Sequence, residues 1–146
     1  MRIVPINNNQ MSFSGYFSPA EKEIYRHFGK TKGEYINQGM TNLAPIAYID
    51  GAGLDVVVTA IDNNDIFKRG VNIAVADEKS DIWFDYIYLG KSKNPQHVRA
   101  GILFDDITKL DEIPKIICNS AKGLIEAYNN CRKNPRLFEY YSKIFR

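Results

Sequence analysis

The chain has 146 residues, 45% of them apolar and 25% charged, with a formal net charge of +2. That size and composition describe one folded domain with a real core and exclude a largely disordered chain. The small charge excludes a whole-surface field for polyanions, so any nucleic-acid or membrane contact must be a local patch, and no run approaches the ~18 apolar residues of a bilayer span.

The first ten residues, Met1 to Gln10, are polar and Asn-rich and lack the apolar run and small-residue cleavage site of a secretory signal. The cytoplasm is the expected compartment. The alternative is export from a bacterium through an uncleaved leader, because an Asn- and Ser-rich start ending near Ser14 has that composition. Residues 1–17 are read as a partly ordered polar leader and 18–146 as a single α+β domain.

Ser18-Pro19-Ala20-Glu21 predicts a helix start, with serine at the N-cap, proline at the first helical position and glutamate closing a capping box. Ile24 and Phe28 share the inner face, and Gly29 is a stop signal. Lys30 to Gly33 reads as a solvated link, and residues 34–43 as a short strand or an irregular crossing. Strands are then expected at Pro45–Ile49, Leu54–Ile61, around Val71–Val75, Asp81–Leu89 and Gly101–Ile107. Gly51-Ala52-Gly53, Asp62 to Asp65 and Asp77 to Ser80 mark the turns between them. Links this short favour antiparallel neighbours, so the expected fold is α+β: a meander of about five strands.

A long amphipathic helix follows from near Asp111. It tolerates Pro114 in its first turn, and its inner stripe is Ile113, Ile116, Ile117, Ala121, Leu124, Ala127, Tyr128 and Cys131. That helix is expected to lie across the sheet. Asn134-Pro135 ends it and starts a short terminal helix. Cys118 and Cys131 stand thirteen positions apart on the long helix. About 20 Å of helix separates them, so they cannot pair and are read as reduced.

Candidate chemistry is sparse. Asp55 starts one strand, and Asp77, Glu78 and Lys79 end the next, with Glu21 or Glu34 as a further acid. This set resembles the metal-dependent nucleases of the restriction-endonuclease type. They carry an Asp followed by an acidic-x-Lys element on the adjoining strand. The resemblance implies carboxylates holding Mg²⁺ and a lysine positioning the attacking water. It covers about a quarter of the chain, and here the acidic-x-Lys element falls where a hairpin turns, so a solvated turn is the favoured reading and the nuclease the alternative. A second acidic group, Asp81, Asp85, Asp105 and Asp106, reads as strand-end carboxylates facing water. His27 and His97 have no ligand spacing to a cysteine or carboxylate. Gly51-Ala52-Gly53 precedes a strand instead of opening a helix, so it is no dinucleotide fingerprint. No cofactor and no metal site is expected.

Binding is the leading expectation. On the strand read at 81–89, Trp83, Ile87 and Leu89 oppose the face of Ile82, Phe84, Tyr86 and Tyr88, so one helix cannot shelter both faces. What stays open is expected to receive a protein partner or a second copy of the chain. From Lys122 onward six basic residues meet two acidic ones, interleaved with aromatics. Arg132, Lys133, Arg136, Phe138, Tyr140 and Lys143 form a candidate surface for protein or, alternatively, for nucleic acid. Leu137, Tyr141 and Ile144 are expected to dock on the sheet.

Overall fold

The structure is a computed structural model describing residues 15–80, 82–88, 96–105 and 108–144, without the side chains at positions 67, 84, 87, 88 and 141–144. It is α+β, with strands β1 (Tyr16–Phe17), β2 (Leu54–Ile61), β3 (Gly70–Asp77) and β4 (His97–Leu103) in that order across one sheet. The helices are α1 (Glu21–Phe28), α2 (Lys30–Ile49), α3 (Ile82–Tyr88), α4 (Ile113–Lys133) and α5 (Arg136–Ile144). β2 pairs antiparallel with β3, and β3 with β4, but β1 runs parallel to β2. The sheet is therefore mixed and four-stranded, not a five-stranded antiparallel meander.

Two segments account for the difference. The first is residues 30–49, read as link, crossing and strand, which are one helix. Ile36, Met40, Leu43, Ala44 and Ala47 recur at helical spacing and are buried, a period disguised by Gly33, Gly39 and Pro45. Pro45 lies inside the helix but on its exposed side, where water can meet the carbonyl it leaves unpaired. A parallel β1–β2 pair needs a long crossover, and α1 and α2 supply it. The second segment is 81–89, expected as a strand. Its described part, Ile82–Tyr88, is helical, with Ile82 and Tyr86 buried one turn apart. A short run that is apolar but for Asp85 does not distinguish helix from strand by period alone.

The remaining elements stand close to where the sequence put them. β2 matches its expected bounds, and Gly29 ends α1 at φ 85°. The first helix opens two residues later than its capping box predicts. Ala20 is the N-cap, and no side chain caps the helix. β4 begins at His97, within the expected polar connection; the rest of that connection, 90–95, lies outside the described residues. The leader's first fourteen residues are also outside them. Its last two, Tyr16 and Phe17, are buried as β1.

The register assigns the faces. Tyr16, Val56, Val58, Ile73 and Val75 point to one side, against α2 and α4, and all are buried. Within α4 the buried stripe is the expected one, except that Ile116 is half-exposed and Ile125 is buried. The other sheet face is sheltered by α3 where Trp83 meets the Phe17 ring edge-on at 5.4 Å and Tyr86 meets His97. Farther along, Thr59, Ile61 and Asn72 are half-exposed and Leu103 is exposed. Among the described residues, no helix is long and apolar enough to cross a membrane.

Tyr16 ties β1 to the helical layer. Its hydroxyl donates to the Met40 carbonyl at 3.0 Å, and burial pushes its phenol far above the ordinary value of 10.0. The fold therefore holds this proton more tightly than the unfolded chain does. Its stabilising effect is complete below pH 10.0 and is lost as pH rises from there through the raised folded value. Chemical denaturation across the alkaline range is expected to show stability falling from about pH 10, with a shallower slope in Tyr16→Phe. Identical slopes in both proteins contradict this.

Candidate functional site

β3 ends at Asp77, and the chain reverses there through a turn that Asp77 itself organises. Its carboxylate Oδ1 accepts the Lys79 N–H at 2.9 Å. Its carbonyl accepts the Ser80 N–H at 3.0 Å and the Ser80 hydroxyl at 2.6 Å. This is an aspartate folding its own turn, as the composition of 77–80 allows. The turn does not stand alone. Tyr128, on the last third of α4, accepts the Asp77 N–H on its hydroxyl at 3.0 Å.

Tyr128 is the joint of the site. Its ring carries the Arg132 guanidinium 5.4 Å from the centroid, and the Phe138 ring of α5 meets it edge-on at 5.5 Å. Burial raises the Tyr128 phenol, chiefly by desolvation, so the hydroxyl stays protonated and neutral at physiological pH. Arg132 reaches Asp77 Oδ2 at 3.5 Å, with both side chains about two-fifths exposed (43% and 42%). At that exposure the pair orients more than it stabilises. Between turn and helices lies a cleft of about 590 Å³, lined by Asp77, Lys79, Ser80, Gln96, Arg132 and Phe138 among others.

Two groups of candidates far apart in sequence thus share one cleft: Asp77 and Lys79, and Arg132 and Phe138. Lys133, Arg136 and Tyr140 lie exposed around the same corner. Phe138 is half-buried and packs on the core beside Leu137, so α5 docks through both residues. Tyr141, Lys143 and Ile144 have side chains outside the described residues. Trp83 packs on the core in α3 and is not on an open sheet face. The Ile87 side chain and Leu89 lie outside the described residues.

Asp55 does not join Asp77. The register pairs Asp55 with Ala76 and Leu54 with Asp77, so the two carboxylates point to opposite faces of the sheet. Asp55 is 5% exposed, and its Oδ1 accepts the Gly15 N–H at 3.0 Å, fastening the chain ahead of β1 to β2. Among the described residues no group of three or more His, Cys, Asp or Glu is placed to hold a metal ion. Of the second acidic group, Asp85 lies on α3 and Asp105 just past β4; Asp81 and Asp106 are outside the described residues. His27 Nε2 lies 2.8 Å from the Ile61 carbonyl, and His97 Nε2 lies 3.4 Å from the Tyr86 hydroxyl. Cys118 and Cys131 are free thiols, both pushed up by burial, which keeps them protonated and poor nucleophiles.

The cleft can offer cations, a hydroxyl and an amide together with the Phe138 ring. It presents no histidine, and Ser80 gives its hydroxyl proton to the Asp77 carbonyl. Such a lining can hold a carboxylate beside an apolar side chain. Sequence reading placed Tyr128 in the core stripe but missed its hydroxyl as the tie to β3, and it missed Ser80 and Gln96. A buried tyrosine near a helix end was the available signal, since its hydroxyl needs a polar partner. No protein-family model, curated protein or solved structure gives a significant match to this chain.

Tyr128→Phe is expected to destabilise the protein by about 1 kcal/mol, the net worth of one hydrogen bond, with the Asp77 N–H left short of a partner. Urea unfolding measures the loss, and amide exchange at Asp77 should accelerate while exchange in β2 is little changed. A variant as protected at Asp77 as the parent contradicts the assigned tie.

Proposed function

We propose that the protein is a non-catalytic binding module whose partner is another protein, held in the cleft between the Asp77–Ser80 turn and the α4–α5 corner. The observation that supports it most is the shared lining: Lys79 and Arg132 face the same 590 Å³ space as the Phe138 ring. Cations beside an apolar ring suit a short partner segment that places a carboxylate next to an aromatic or aliphatic side chain. Lys133 and Arg136 extend the basic rim and favour approach of an acidic segment. Nucleic acid is the second reading. Tyr140, 57% exposed, lies one turn from Arg136 on α5, a stacking ring beside a phosphate-binding cation.

Selection of a displayed random-peptide library on the purified protein is expected to enrich acidic–aromatic segments. Their affinity should fall about tenfold or more in the double variant Arg132→Glu, Phe138→Ala. Binding that ignores both substitutions sinks the cleft as the binding site. For the second reading, a labelled single-stranded oligonucleotide should bind with an affinity that drops steeply as salt rises. A flat salt response removes it.

A further inference from the structure

We propose that β4 pairs along its open edge with β4 of a second copy of the chain, antiparallel and about a two-fold axis through Gly101. β3 occupies only one side of β4. The Phe104 N–H donates to the Arg69 carbonyl at 3.1 Å, which sets the direction of every backbone group in the strand. Val98, Ala100 and Ile102 face β3, so the N–H and C=O groups of Arg99, Gly101 and Leu103 face outward. Among the described residues these outward groups have no hydrogen-bond partner. Edge strands are ordinarily defended by proline, bulges or several charges. On β4 the outward positions hold one charge, a bare glycine and a leucine that is 50% exposed.

An open ladder of alternating donors and acceptors is satisfied by another extended strand. The side chains on both faces of β4 favour the strand itself as that partner. With Gly101 opposite its own copy, Arg99 lies opposite Leu103 of the second copy, and the stem of the arginine covers the exposed leucine. Asp105 of the second copy is then the diagonal neighbour of Arg99, within reach of a long side chain. Among the described residues the Arg99 guanidinium makes no hydrogen bond or ion pair, and the Asp105 carboxylate accepts one bond, from the Thr108 hydroxyl at 2.9 Å. Both are left with capacity for each other.

The helix-covered face fits as well. There Ala100 lies opposite Ile102 of the second copy. Beside Ala100 runs a groove of about 300 Å³ lined on α4 by the small Ser120, Gly123 and Ala127 together with Leu124, Glu126 and Asn130. A hypothetical Cβ at Gly123 would meet no heavy atom within 4 Å. The half-buried Ile102 is a branched side chain of the size this space lacks. The two-fold axis makes each contact twice, as an isologous interface requires.

Sedimentation equilibrium or light scattering on the full chain is expected to give twice the 16.7 kDa chain mass. Leu103→Lys, at a half-exposed position, should yield monomer with an unchanged circular dichroism spectrum. Gly101→Pro, which removes an outward N–H, should do the same; if it disturbs the strand, Leu103→Lys alone decides. Arg99→Glu should weaken the dimer about tenfold or more, and adding Asp105→Lys should recover most of that loss. A parent protein that stays monomeric to about 100 μM overturns the proposal. So does a dimer indifferent to Leu103→Lys, or a charge swap that restores nothing.

Discussion

The close approach of α2 to α4 is the constraint on which the other elements depend. At Gly39 a Cβ atom would stand 2.7 Å from Cδ1 of Ile117 and 3.3 Å from the Pro114 Cα. The missing side chain lets two long helices lie side by side over one face of a four-stranded sheet. Together they bury Ile36, Met40, Leu43, Ile117 and Leu124 against the inner strands. At roughly 25 cal/mol per Å² of apolar surface, this layer is the main stabilising term for the domain. Its geometry is passed on. The position α4 takes beside α2 brings Tyr128 to the end of β3.

The cleft follows from the same arrangement. The Asp77 turn would fold in any hairpin, because its hydrogen bonds are local. It becomes part of a site only because α4 delivers a neutral phenol to the Asp77 N–H and a guanidinium beside the carboxylate. Phe138 is placed by Asn134 and Pro135, whose carbonyls accept the Leu137 and Phe138 N–H groups and turn the chain into α5. A β-turn, a helix face and a helix corner meet, and the cleft lies between them.

The two edges of the sheet are treated differently. β1 is only two residues long, and the chain ahead of it is fastened to β2 by the buried Asp55 carboxylate. Short, tied edges have little capacity to pair with another chain. β4 is seven residues long, and among the described residues its outward backbone groups have no hydrogen-bond partner at three successive alternate positions. The contrast lies in backbone chemistry rather than in exposed oily area. The oily area a strand at 81–89 was expected to leave uncovered is not where contact capacity is found, because Ile82, Trp83 and Tyr86 turn inward as a helix.

Sequence by itself determined the elements whose signals are local. Leu54–Ile61 alternates β-branched residues between turn signals, Asp77–Ser80 carries turn chemistry, and 113–133 repeats its apolar residues at helical spacing. Each is specified by neighbours a few positions away. Tertiary structure decided the rest. The run at 82–88 is apolar but for Asp85 and adopts a helix beneath the sheet, where it covers Phe17, while β4 occupies the place beside β3. Residues 30–49 carry glycines and a proline that lower helix propensity, and burial of Ile36, Leu43 and Ala47 outweighs them. Asp55 and Asp77 look like partners along the chain but are set on opposite faces by a register only the paired strands define. The meeting of Asp77 with Tyr128, fifty-one residues apart, has no local signature at all. Such a contact exists because two helices pack in one way on one sheet, and packing is a property of the whole chain.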